Sequence, residues 1–264
     1  MQLNTEKMLA DISDGIGWIT FNNPERRNAI SLEMWEALGT ILEAFQDDPE
    51  VRVVVMKGAG DKAFVSGADI SEFDSKRGNA EQKKQYGLAS AKANRWLVQI
   101  DKPLIAMIQG YCIGGGLATA LGADIRFATS DSKFGIPAAK LGLGYDYGGL
   151  YTLSSLVGSS RAKDIMFSAR FMTADEALQI GLINFLVPIE ELEESVIAYA
   201  SLISDNAPLT VKAAKAAINE VVKDSQTRDL THVEALVNQC FDSEDYREGR
   251  RAFMEKRQPE FKGR

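Results

Sequence analysis

The chain has 264 residues, 45% hydrophobic and 25% charged, which suits one or two folded domains whose core needs no disulfide or metal staple. With 30 Lys and Arg against 37 Asp and Glu, the formal net charge is −7. That balance argues against nucleic acid or an anionic membrane as the main partner, so any anionic ligand must be held by a local basic patch.

In chain order, Met8–Ile12, the alternating Ile16–Phe21 and the β-branched Val51–Lys57 read as strands. Between the second and third, Leu32, Trp35, Leu38, Leu42 and Phe45 recur at helical spacing behind Ser31, a candidate N-cap. A helix is expected around Tyr86–Trp96, a strand at Leu104–Ile108, a helix near Leu117–Gly122, and short strands near Ile125–Ala128 and Ile183–Val187. Gly148–Leu156 reads as a further helix. After Val187 the pattern turns wholly helical: Glu190–Ile203, Thr210–Val222, Thr227–Phe241 and Glu244–Phe253. Strands mixed with helices, then helices alone, predict an α/β core over 1–188 carrying a helical C-terminal layer over 189–264.

Cys112 and Cys240 lie far apart, and His232 is the only histidine, so neither a zinc cluster nor a Ser-His-Asp machine is expected. Cys112 reads as a small buried hydrophobe and His232 as structural. No apolar run approaches the ~20 residues of a membrane span, and the opening residues carry neither the basic nor the apolar stretch of a leader. The expectation is a cytoplasmic enzyme with free thiols and no metal.

Three glycine-bearing segments stand out: Ala63–Asp69, Gly110–Gly116 and Lys140–Gly149. None is a dinucleotide fingerprint or a Walker A loop. Clustered glycines at helix starts expose backbone N–H groups suited to a developing oxyanion or a phosphate, although each segment alone reads first as a tight turn or close packing.

Taken together, these blocks carry a resemblance. Asn23-Pro24 with Asn28-Ala29, then 63–73, 102–116, 123–137, 243–253 and 256–264, resemble the crotonase (enoyl-CoA hydratase/isomerase) superfamily over nearly the whole chain. The resemblance implies a ββα spiral core, acyl-CoA thioester ligands with no separate cofactor, and a homotrimer or dimer of trimers. It assigns the thioester oxygen to the backbone N–H groups of Ala68 and Gly115. It assigns CoA contacts to Arg26, Arg27, Ala29, Ser66, Ala68 and Asp69, and to Phe253 and Lys256 from a neighbouring subunit. Arg26 and Arg27 read alone as a solvated turn, and Lys256 as part of a solvated basic tail.

One departure bears on the reaction. The two glutamates that family hydratases use fall at Ala118 and Ala138. A methyl group can neither activate water nor protonate carbon. The remaining acid is Asp146, in a pattern that resembles family isomerases with a single base at that slot; read alone, Asp146 is equally a cap for the helix that follows. The expected activity is a Δ3/Δ2 double-bond shift with Asp146 as base. The alternatives are water addition by an altered site, hydrolase, dehalogenase or decarboxylase chemistry at the same oxyanion hole, and a catalytically inactive or RNA-binding relative. The dehalogenase reading is weakened because Ala138 stands at that subfamily's tryptophan slot.

Overall fold

Ile16–Phe21 (β2), Val53–Gly58 (β3) and Leu104–Ile108 (β5) are the apolar runs that the sequence marks most plainly, and they lie side by side in one sheet. The computed structural model describes residues 1, 3–69, 71, 80–145 and 147–264. Met8–Ser13 (β1) pairs antiparallel with β2 across the Asp14-Gly15 turn, where both residues have positive φ as a tight hairpin requires. The remaining pairings are parallel, and Ile125–Thr129 (β7) and Phe185–Val187 (β10) complete the order β1-β2-β3-β5-β7-β10.

A second sheet was not anticipated. Ala63–Val65 (β4), Tyr111–Ile113 (β6), Lys133–Gly135 (β8) and Met172–Thr173 (β9) form it in that order. Each of the pairs β3/β4, β5/β6 and β7/β8 sends its first strand to one sheet and its second to the other, with helix following. That repeat is the expected ββα spiral.

The helices among the described residues are Leu32–Asp47 (α1), Ala80–Gln99 (α2), Gly115–Leu121 (α3), Tyr147–Ser168 (α4), Ala174–Gln179 (α5), Leu192–Ser204 (α6), Pro208–Val221 (α7), Leu230–Asp242 (α8) and Glu244–Glu255 (α9). Several ends differ from expectation for local reasons. Ser31 sits at the N-cap of α1, but its side chain makes no cap bond and instead reaches Glu33 Oε1 at 3.5 Å. Helix α3 starts at Gly115 because Gly114, at φ +55, turns the chain out of β6. Helix α8 starts at Leu230 because the Asp229 carboxylate accepts from His232 N at 2.9 Å. Helix α4 runs past Leu156 but breaks at Gly158, whose φ is 77°.

The first sheet is buried on both faces, as parallel strands require. Val54, Met56, Leu104 and Ala106 join the larger core with α1 to α4, while Val53, Val55 and Ile105 point the other way onto Leu192, Val196 and Ala200 of α6. The last residues return to the sheet layer. Arg52 donates to Phe261 O at 3.0 Å, and Asp245 accepts from Lys262 N and Gly263 N. Cys112 is fully buried, which pushes its thiol well above the ordinary range.

Candidate active site

Parallel pairing of β4 with β6 brings the loops that follow them face to face. Gly67, at φ +123, leads out of β4 into Ala68, and Gly114 leads out of β6 into α3. A Cβ built on Gly115 would lie 3.7 Å from the Ala68 nitrogen. The close approach is fixed by the next residue: at Gly116 a Cβ would sit 2.0 Å from Val65 O, so the start of α3 rests directly on β4.

Among the described residues the Ala68 and Gly115 amides are uncommitted. Ile30 N donates to Gly67 O and Asp69 N to Ile30 O, a parallel bridge that leaves Ala68 N–H facing away from its partner strand. Gly115 stands at the first position of α3, where no preceding carbonyl can reach it. Neither N–H has an intramolecular acceptor among the described residues. Both residues line a cavity of about 840 Å³. Two preorganised donors at the wall of an apolar cavity suit an oxygen that gains negative charge during a reaction.

Ala118 and Ala138 line the same cavity, so the two slots expected to lack acid do so beside the donors. None of the described lining residues is Asp, Glu, Lys, Arg or His. Gly144, Tyr145, Gly148 and Gly149 line the cavity too. Asp146 lies outside the described residues. Among the described residues no group of three His, Cys, Asp or Glu side chains could hold a metal ion, and no helix is long and apolar enough to cross a membrane.

The residues expected to meet CoA divide into two groups. Arg26, Arg27, Ala29, Ser66, Ala68 and Asp69 are brought to one corner. There Ser66 N donates to Arg27 O at 3.1 Å and Ser66 Oγ to Arg26 O at 3.4 Å. Arg26 is not a freely solvated cation: it donates to both Asp69 carboxylate oxygens, at 3.1 and 3.3 Å, and to Ser71 Oγ. Burial pushes the Asp69 carboxyl up, but the Ser71 hydrogen bonds and Arg26 outweigh it and hold the group below the ordinary carboxylate value. The Arg27 guanidinium lies 5.0 Å from the Tyr111 ring centroid. Phe253 on α9 and Lys256 just beyond it do not line this cavity in their own chain, and Phe253 is 81% exposed.

Two positioning residues escaped the sequence reading. Asn28 is fully buried; its Oδ1 accepts from Asn23 N at 2.9 Å while Nδ2 donates to Ala59 O and Ala63 O at 3.0 and 2.7 Å. It bolts the Asn23–Ile30 loop to the segment that enters β4. Arg126, also buried, donates to Ala120 O, Ala123 O and Leu182 O, so it ties the C-terminal end of α3 to β7. Burial lowers its guanidinium pKa, partly offset by Asp124. The signal for Arg126 was an arginine inside an apolar strand.

A family model described as enoyl-CoA hydratase/isomerase matches residues 11–264. The chain belongs to that family. It is 37% identical over 265 residues to the short-chain-enoyl-CoA hydratase of Clostridium acetobutylicum, covering all of both chains. It is 34% identical over 256 residues to the crotonyl-CoA hydratase of Syntrophomonas wolfei, covering 97% of this chain and 98% of that one. An enoyl-CoA hydratase/carnithine racemase structure from Magnetospirillum magneticum superposes with a TM-score of 0.92 at 36% identity, covering 99% of this chain and 97% of that one. This member of the family is therefore an enoyl-CoA hydratase/isomerase-type enzyme acting on acyl-CoA, built on the crotonase fold.

Proposed function

We propose that the protein shifts the double bond of an enoyl-CoA between the Δ3 and Δ2 positions, with Asp146 as its single acid–base group. The observation that carries this reading is the pair of methyl groups, Ala118 and Ala138, in the cavity beside the Ala68 and Gly115 amides. Water addition requires a base for the water and an acid for the α-carbon. A 1,3-shift asks for less. One carboxylate takes a proton from C2, the electron pair spreads into a dienolate whose charge rests on the thioester oxygen, and the same acid returns the proton at C4. The two amides hold that oxygen, a donor of this kind lowering the barrier by about 3 kcal/mol. Assignment of the base rests on the sequence pattern around Asp146, supported by flanking residues that line the cavity.

In this reading CoA is carried by the corner that holds Arg26, Arg27, Ala29, Ser66 and Asp69, with Phe253 and Lys256 reaching it from a neighbour in a homotrimer or dimer of trimers. Apolar side chains on the C-terminal helices support the assembly: Phe253 and Met254 are 81% exposed and Val221 is 69% exposed. Light scattering is expected to give a multiple of 28.9 kDa, and a monomer would overturn the assembly.

Asp146→Asn keeps shape and capping ability but cannot take the proton. It is expected to lower conversion of 3-enoyl-CoA to 2-enoyl-CoA by at least about 10²-fold with little loss of stability. An Asn variant as fast as the parent, or a parent that only adds water, would overturn the reading. A second reading, water addition by an altered site, is favoured by the hydratase names of both curated relatives. Following 3-hydroxyacyl-CoA from 2-enoyl-CoA in the same assay distinguishes the two.

A further inference from the structure

The cavity extends well beyond the corner that holds the two amides. On α3 its lining is Gly115, Ala118, Leu121 and Gly122, a single helical face, so it follows that helix for about 10 Å at 1.5 Å per residue. At the far end a Cβ on Gly122 would lie 3.1 Å from Leu97 Cβ, which places that turn of α2 there. Helix α2 turns Tyr86, Ser90 and Asn94 to the cavity at successive four-residue steps. Asn94 is one turn before Leu97 and so stands near the end remote from Gly115.

The polar atoms at that end are oriented. The Ser90 hydroxyl, on a residue only 6% exposed, donates to Gly87 O at 3.2 Å and accepts from Asn94 Nδ2 at 3.4 Å. Its single proton is spent on Gly87, so the Asn94 amide must turn an N–H toward it. Asn94, an exposed residue at the cavity rim, makes no other bond among the described residues, which leaves its Oδ1 and second N–H to water or to a ligand group. A saturated hydrocarbon tail would cover these groups without replacing their water. A carboxylate or ammonium would meet no counter-charge among the described lining residues. A hydroxyl or carbonyl satisfies both conditions.

We infer that the acyl group carries a neutral hydrogen-bonding substituent, a hydroxyl or carbonyl near its far end, read by Asn94 with Ser90 as its positioning residue. The inference rests on the acyl-CoA reading of this cavity but on neither choice of reaction, so its test uses saturated thioesters that cannot turn over. Calorimetric titration of the parent with hexanoyl-CoA and with its ω-hydroxy derivative is expected to show about tenfold tighter binding of the hydroxy compound, the upper end for a neutral hydrogen bond. Asn94→Leu, of similar size, is expected to reverse the preference. Ser90→Ala, which leaves the amide unanchored, is expected to narrow it without reversal. Equal or tighter binding of hexanoyl-CoA by the parent, or a preference unchanged in Asn94→Leu, would overturn the inference and leave the acyl-CoA reading standing. Binding of neither compound would overturn both.

Discussion

At Gly116 a Cβ would sit 2.0 Å from a backbone oxygen, whereas at Gly144, elsewhere on the cavity wall, it would meet nothing within 4 Å. Glycine occurs in both places for different reasons. On the donor wall glycine is demanded by strands and a helix start pressed together, which holds two amides in fixed relation. On the other stretch Gly144 stands in open space, beside Leu143, which is 36% exposed. The amide pair is rigidly held, whereas the stretch around Gly144 leaves spare room.

Substitutions can break this comparison. Gly116→Ala drives a methyl into Val65 O and is expected to cost at least about 3 kcal/mol, or to prevent folding, as read by urea unfolding. Gly115→Pro removes one donor at a first helical position that tolerates proline. It is expected to lower turnover by about 10²–10³-fold while the unfolding midpoint stays close to that of the parent; unchanged turnover would remove Gly115 from the site. Asn28→Ala leaves one buried and one half-buried carbonyl and one half-buried N–H without their partner and is expected to cost about 2–4 kcal/mol. Gly144→Ala, on the open stretch, is expected to stay within about 0.5 kcal/mol. A large loss there would mean that the two places are alike.

How much of this was legible in the sequence depended on range. Long apolar runs such as Ile16–Phe21 and Leu104–Ile108 announce themselves because burial on both faces selects β-branched and aliphatic residues. The second sheet did not, since β4, β6 and β8 are three residues long and bounded by turns that dominate any local pattern. The glycine blocks and the alanines at 118 and 138 were legible through family resemblance, and the structure gathers them around one cavity. The bolt at Asn28 was not, because its partners Ala59 and Ala63 lie more than thirty residues away and are reached through backbone carbonyls that carry no side-chain signature. Arg26 was read as a phosphate ligand or a solvated turn; its pairing with Asp69 spans 43 residues and appears only once the loops meet.

Both donors in the cavity are main-chain amides, and every amino acid except proline brings one. A missense change at position 68 or 115 thus nearly always leaves a donor in place, provided the new side chain fits. A change at 118, 138 or 146 installs or deletes an acid outright. The site separates an inheritance that mutation can scarcely erase from a set of positions that mutation can retune one codon at a time. In the proposed mechanism a change of reaction requires no rebuilding of the amide pair, only a carboxylate at a different position.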